Sequence, residues 1–498
     1  MTTLALKWST LGPRIVRTVE SVRKHPIKYA AAIVFLIVAS LPYLFMAGGG
    51  PEAPQDDVRA EDTLVIISPH RREVRLEYSR AFSQWMKRRH RREVRIRWLD
   101  VGGTSKVMKD LETRFATTPD APGVDILFGG GVDPYLRAAE RGWLARLSPP
   151  PEILDGIPPR CAGFPVYDPD GRWFGVAMSG FGILYNRPLL SRVDLPVPVT
   201  WEDLGSPEFA SWVGSGDPRS SGSVHMCYEI ILQAYGFERG WHLITRLCAN
   251  VRRFGESGGT VPREVAAADV AAGMVIDQYA QAVIDAVGKD FLVFVLPRGL
   301  TMINPDAIGV LKAADHPVLA REFVNFVLSP AGQRILYQKP GKGGQRFSLH
   351  RLPVRRHLYD ETGAPETNPY AYRGDFQYSS RIGSQRWRLV NDMIGTWLID
   401  AHADLSAAWQ AVNSAGNPAD LVSRLCANPI PRTSWQSLSR TWKDPRRRLR
   451  TKSRWGRVAR QRYRAVRRDA LARRPDGRTS GEPSDLQGRN SSSAGQRE

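Results

Sequence analysis

The sequence predicts an α/β protein built on a largely parallel sheet, and three observations carry that expectation. Short β-branched runs such as "TLVIIS" and "GVDILFGGG" have the length and composition of buried strands. Between them lie segments whose apolar residues recur three or four apart, as on one face of a helix. Strands and helices then alternate at intervals that suit parallel crossovers. With 498 residues and 42% hydrophobic content, the chain exceeds one ordinary domain and can bury a sizeable core.

The elements follow in order. Residues 1–28 are a basic segment, with Lys7, Arg14, Arg17, Arg23, Lys24 and Lys28 against Glu20. Tyr29 to Met46, "YAAAIVFLIVASLPYLFM", runs 18 residues without a charge. That is close to the ~20 residues that span a bilayer. Basic residues before it place the N-terminus in the cytoplasm. Residues 29–47 are therefore expected to be an uncleaved transmembrane anchor, a cleavable signal being the competitor. No cysteine follows the apolar run, which argues against a lipid anchor. On either reading the body lies in the periplasm or outside the cell. Residues 48–62 are a Gly/Pro/acid linker.

The body opens with the strand "TLVIIS", a basic amphipathic helix from Val74 to Arg88, and the strand "EVRIRWLD". "GGTSKVMKDLETRF" reads as a glycine turn and helix, "GVDILFGGG" as a buried strand, and "DPYLRAAERGWL" as a helix. "RWFGVAMSGFGILYNRPLL" is a long extended segment with central glycines, as if the chain passes between two lobes. From Pro196 to Val295 the α/β grammar repeats, and "DAIGVLKAADHPVLAREFVNFVLSPAGQRIL" closes with a strand, a helix and a short helix. Residues 356–432 form a helical extension that includes "QRWRLVNDMIGTWLID". From 433 to 498 the tail is basic and poor in aliphatics, so disorder is expected. Trp455, Ala459, Tyr463, Val466 and Ala470 nevertheless stand at near-helical spacing, and a basic amphipathic helix of that kind suits an anionic envelope surface.

Charge narrows the function classes. The net charge is +20, yet residues 440–478 alone hold 17 Lys/Arg against 3 acids. Together with the N-terminal segment they account for nearly all of it. The body is close to neutral, so the composition does not indicate nucleic-acid binding. Cys161, Cys227, Cys248 and Cys426 show neither CxxC nor metal-ligand spacing. They are structural, either as buried thiols or as two disulfides with three possible pairings. No nucleophile elbow, HExxH, Walker A or cysteine cluster is present, so no enzyme and no cofactor are expected.

One stretch asks for more than structure. In "DPRSSGSVHMCYEIILQAYG", Asp217 to Gly236, a helix with Val224, Cys227, Tyr228, Ile231 and Tyr235 on its buried face begins at Ser220–Ser223. Taken alone this is a serine-capped helix. A helix start also offers unpaired N–H groups and about half a positive charge to an anion.

"SGFGILYNR", "TWEDLGSPEF", "DPRSSGSVHMCYEIILQAYG", "GMVIDQYA" and "AREFVNFVLSPAGQRIL" occur in an order that resembles extracellular solute-binding proteins of ABC importers, in particular the iron(III), phosphonate and hexose-phosphate types. The resemblance covers about 63–336. It implies a two-lobed type 2 periplasmic-binding-protein fold, with lobe 1 at 63–178 plus 302–355 and lobe 2 at 179–301. The hinges would lie near Ala177–Gly180 and Leu296–Asn304. It further implies a small anionic solute bearing phosphate or phosphonate in the interlobe cleft, an ABC permease in the cytoplasmic membrane as partner, and a monomer. The alternatives are a ferric iron or iron-chelate carrier and a membrane-tethered ligand sensor.

Glycine- and hydroxyl-rich helix starts supply the ligand-binding candidates: Thr104 and Ser105, after the glycines Gly102 and Gly103, in lobe 1, and Ser221, Gly222, Ser223 and Ser257 in lobe 2. Such loops lie beyond the carboxyl ends of strands, where open α/β sheets bind ligands. Ser68, Gly130, Ser179 and Asp277 complete the set. The resemblance adds His70, in "ISPH", and Tyr279, in "IDQYA", as metal ligands under the iron reading. That reading is weakened by Gly129–Gly131 where an iron-binding Glu is expected and by Ala280 where a second Tyr is expected. His70 serves equally well as a strand–helix turn residue, His225 is read as structural, and Asp306 is the least supported candidate.

Overall fold

In a computed structural model, residues 62–374, 376–430 and 435–473 are described. The expected anchor at 29–47 lies outside them. Among the described residues no helix is long and apolar enough to cross a membrane.

The first half of the fold follows the expected alternation: β1 (Thr63–Ile67), α1 (Arg72–His90), β2 (Arg95–Leu99), α2 (Thr104–Thr117), β3 (Ile126–Phe128) and α3 (Asp133–Glu140). β1 pairs in parallel with both β2 and β3. Val74, Tyr78, Phe82 and Met86, four residues apart, turn one stripe of α1 into the core. There Tyr78 meets Phe128 edge-on at 5.4 Å and Phe82 meets Phe323 at 5.0 Å.

The glycine-centred segment is a single 13-residue strand, β4 (Phe174–Asn186), buried throughout. Beyond it come β5 (Val213–Gly216), α4 (Gly222–Ala234), α5 (Phe237–Asn250), β6 (Val251–Gly255), β7 (Ala272–Ile276), α6 (Asp277–Val287), β8 (Leu292–Val295) and β9 (Ile303–Val310). The sheet runs β2-β1-β3-β9-β4-β7-β5-β6, with β8 also on β4. β4 is the crossing. Its first part, Phe174–Gly180, pairs antiparallel with β9, and its second, Phe181–Tyr185, pairs antiparallel with β7. The sheet is thus mixed rather than largely parallel, because both crossing strands run against their neighbours.

The C-terminal region departs from expectation. Helices α7 (Ser380–Ile394), α8 (His402–Ser414) and α9 (Pro445–Leu471) complete the fold. The disorder expected from 433 is corrected over 435–473, while 474–498 lie outside the described residues. α9 starts cleanly because the Asp444 carboxylate accepts from the Arg446 and Arg447 amides and Pro445 occupies the first turn. It stays folded because Trp455, Ala459, Tyr463, Val466 and Ala470 are all buried in the apolar core that also contains Trp241, Trp397 and Trp409. Each large apolar side chain buried there contributes roughly 2 kcal/mol, which outweighs the tendency of the arginine-rich composition to stay unfolded. The four cysteines are free, buried thiols, which decides the alternative left by their spacing. Residues 60–498 form one compact unit.

Candidate functional site

Where β4 crosses between the two halves of the sheet, a cleft of about 460 Å³ opens. Nine of the expected ligand residues line it: His70, Thr104, Gly130, Ser179, Ser221, Gly222, Ser223, Ser257 and Tyr279. They come from loops, helix starts and the crossing strand itself in both halves, so residues distant in sequence meet there.

The two helix starts abut. A Cβ on Gly222 would stand 2.6 Å from Thr104 Oγ1, and one on Gly103 would stand 2.2 Å from the Ser220 carbonyl oxygen. Only glycine at these two positions allows the backbones so close. Neither start is capped by a side chain. Ser221, at the N-cap of α4, makes no capping bond, and its Oγ lies 3.2 Å from Ser223 Oγ instead. Gly103, at the N-cap of α2, has no side chain to offer. The first-turn N–H groups of α2 and α4 are thus not spent on side-chain caps.

Arg71, Arg75, Lys106 and Arg351 add positive charge to the lining. Arg75 is paired with Asp100 at 2.7 Å. Arg71 lies over the Tyr279 ring, 5.2 Å from its centre, and its Nη2 is buried without a hydrogen-bond partner. Ser179 Oγ, on β4, is likewise buried without a partner. Buried polar atoms in folded proteins are nearly always satisfied, yet four on cleft residues are not: these two, His70 Nδ1 and Arg351 Nε.

Asp306, the least supported candidate, is the hub of the cleft floor. Its carboxylate lies 2.8 Å from His70 Nε2, bonds the Arg351 guanidinium, and accepts from the Gly131 amide at 2.9 Å. Burial alone would raise this carboxyl. The Arg351 charge, His70 and the Gly131 N–H outweigh burial and hold it well below the usual carboxylate range. Burial lowers the His70 imidazole despite the nearby carboxylate. Arg351 Nη1 also reaches His70 Nε2 at 2.8 Å.

Three expected residues are corrected. Ser68 is fully buried behind the cleft, where its Oγ accepts from the His70 amide. Ser105 faces the C-terminal extension and accepts from Trp387 Nε1 at 3.1 Å. Asp277 does not line this cleft, although Ile276 and Gln278 do, and it accepts from the Gly180 amide at 2.7 Å and from the Gln278 amide at 2.6 Å. By these bonds it fastens β4 to the start of α6, and burial pushes its carboxyl up to about 7. His225 is structural, as expected. It stacks on Trp387 with ring centres 3.7 Å apart, and its Nδ1 lies 2.6 Å from Asn391 Oδ1.

The arginines were missed. Arg71 directly follows His70, and Lys106 follows the "GGTS" start, so both lay beside quoted motifs. Arg351, in "HRLPVRRH", falls outside every motif, and its role depends on a partner 45 residues away.

For ferric iron the donor set is poor. His70 is engaged with Asp306 and Arg351, and Tyr279 lies beneath a guanidinium. Burial raises the Tyr279 phenol, which disfavours the phenolate that iron requires. Among the described residues, no three His, Cys, Asp or Glu side chains are grouped to hold a metal.

Residues 127–341 match the family described as bacterial extracellular solute-binding protein. Over 240 residues the chain is 30% identical to the phosphoglycerate transport regulatory protein PgtC of Salmonella typhimurium, covering 48% of this chain and 57% of that protein. Over 224 residues it is 27% identical to an uncharacterized protein of Haemophilus influenzae, covering 44% and 62%. The chain thus spans less than two thirds of the length of either of these curated relatives. Among solved structures, the periplasmic binding protein AfuA of Actinobacillus pleuropneumoniae, with fructose-6-phosphate bound, shares the fold with a TM-score of 0.55 and 22% identity over 67% of this chain and 97% of that one. Iron-bound HitA of Pseudomonas aeruginosa gives 0.53 and 20% over 67% and 99%.

Proposed function

We propose, because residues 127–341 match the family described as bacterial extracellular solute-binding protein, that this chain is the extracytoplasmic receptor of an ABC-type importer. Its ligand is a small solute bearing a phosphate or phosphonate group. The observation that carries the reading is the presence of partnerless buried donors, Arg71 Nη2 and Ser179 Oγ among them, on residues that line the same cleft as two uncapped helix starts. Guanidinium, hydroxyl and helix-start N–H groups are all donors, and together they match a group with several negatively charged oxygens. The names of the relatives agree: phosphoglycerate for PgtC and fructose-6-phosphate for AfuA. The solute binds unchanged, closure of the two lobes on it selects the filled state, and the permease partner reads that state.

A second reading, a ligand sensor, is favoured by a specific observation. Helix α7 and the residues just before it bond both halves of the body. Tyr378, Trp387 and Arg388 reach Asp133, Ser105 and Glu112, while Arg386 and Asn391 reach Glu229 and His225. A body fastened across its cleft suits signalling of occupancy, and the name of PgtC speaks of regulation.

A thermal-shift series on residues 60–498 tests the ligand class. The panel pairs 3-phosphoglycerate with glycerate and fructose 6-phosphate with fructose, and adds phosphonoacetate and ferric citrate. A ligand at 100 times its Kd stabilises by about 2.7 kcal/mol. The reading requires a shift with a phosphate or phosphonate and none with glycerate or fructose. A shift with ferric citrate alone would replace it with iron transport.

A further inference from the structure

The outward face of α9 has no part in the cleft. Opposite the buried stripe at Trp455, Ala459, Tyr463, Val466 and Ala470, the helix presents Arg446, Arg450, Arg454, Arg457, Arg464 and Arg468 to solvent. At 1.5 Å per residue these span about 33 Å. Arg464 is paired with Asp404 and Arg468 lies near Asp469. The side chains of Arg446, Arg450, Arg454 and Arg457 have no ion-pair partner among the described residues. The helix holds a single acid, Asp469, and it lies on the flank, paired with Arg424. Three large apolar side chains of the helix are exposed, Leu449 at 70%, Val458 at 38% and, at its end, Leu471 at 42%. Like charges on one face repel one another, and no ion pair among the described residues offsets this at Arg446, Arg450, Arg454 and Arg457.

We infer that this face docks the body on an anionic lipid surface. Charge complementarity identifies the partner: a straight row of arginines, four of them without an ion-pair partner among the described residues, matches a plane of lipid phosphates. Exposed Leu449 and Val458 match the apolar boundary beneath the headgroups. A nucleic acid would satisfy the charges but leaves the two apolar side chains without purpose. The inference goes beyond the proposed solute binding and does not depend on which solute fills the cleft.

Vesicle flotation tests it with residues 60–498, the compact unit that contains the whole described fold but not the apolar run at 29–46. Vesicles of phosphatidylcholine are compared with vesicles that also contain phosphatidylglycerol, at low and high salt. The unaltered chain is expected to float with the anionic vesicles alone and to be released by salt. Arg450→Glu, Arg454→Glu and Arg457→Glu together should lower the bound fraction roughly tenfold or more. The corresponding triple substitution to lysine should retain binding, and solute binding should be unchanged in both variants. Circular dichroism checks that the reversed helix is still folded, and the salt dependence of the unaltered chain stands as a test without any variant. Equal flotation with neutral vesicles, full binding by the reversed variant, or capture by duplex DNA but not by anionic vesicles would each overturn the inference.

Discussion

His70 Nε2 lies 2.8 Å from Asp306 Oδ2, so the histidine in the expected ligand position is committed to a carboxylate 236 residues away. That pairing makes a candidate ligand residue part of an ion-paired cluster in the cleft floor. Arg351 completes the floor by bonding both partners. A buried ion pair of this kind is costly to break, because the partner left behind stays charged in a dry place.

Arg351→Ala therefore tests the floor as structure. Urea unfolding should show a loss of about 3–5 kcal/mol, the cost of leaving a buried charge unpaired. A loss below about 1 kcal/mol, within the range of an exposed pair, would show that water reaches Asp306 and that the floor is open.

The abutting helix starts give a test that separates binding from folding. Ser221→Ala with Ser223→Ala removes two hydroxyls without disturbing a cap. Each neutral hydrogen bond is worth roughly 0.5–1.5 kcal/mol, so affinity for the phosphorylated solute should fall about 5- to 100-fold while the melting temperature of the free protein barely moves. Unchanged affinity would remove these hydroxyls from the site.

The contacts of α7 predict a restrained cleft. Tyr378→Phe, Trp387→Phe and Arg388→Ala together remove the bonds these side chains make to Asp133, Ser105 and Glu112, leaving a long 3.5 Å bond from Asn391 to Ser105, while the hydrogen bonds to Glu229 and His225 stay. Small-angle scattering of the ligand-free variant should show a larger radius of gyration than the unaltered protein, with the difference removed by ligand. Superimposable curves would mean that the extension does not hold the lobes together.

Asp133 carries a pH dependence of definite sign. Burial, helped by nearby Glu229, pushes its carboxyl from 3.8 up to about 7, against the Tyr378 hydrogen bond and Arg137. The folded value exceeds the unfolded one, so the stability linked to the protonated form is complete below about pH 4 and is lost as the pH rises through about 7. Asp133→Asn is neutral at every pH. The stability of the unaltered protein relative to Asp133→Asn should fall between about pH 4 and 7 and level off above that, and a constant difference would contradict the assignment.

Much of this architecture was legible because it is encoded locally. A continuous β-branched run gives β1, recurrence every three or four residues gives α1 and α4 within a few residues, and the central glycines of β4 mark the crossing where strands from both halves must approach. Ser221, Gly222 and Ser223 stood out because a helix start is a local object. Asp306 and Arg351 were obscure because their roles exist only as a pair across 45 residues. Ser105 was misassigned because helix periodicity does not say which neighbour a first-turn side chain will face, and here the neighbour is Trp387. The C-terminal helix was misjudged for a related reason. Its buried stripe was visible, but the composition around Tyr463 is dominated by arginines whose solvent-facing placement only the packed body reveals.

Calorimetric titration of residues 60–498 with 3-phosphoglycerate and with fructose 6-phosphate, repeated on Arg71→Ala, tests the central claim most directly. The account predicts saturable binding of at least one of them at a single site, weakened at least tenfold in Arg71→Ala, because removing one partner of a charged hydrogen bond costs about 1.5–3 kcal/mol. Binding that is indifferent to Arg71, or heat from neither phosphate but from ferric iron, would contradict it.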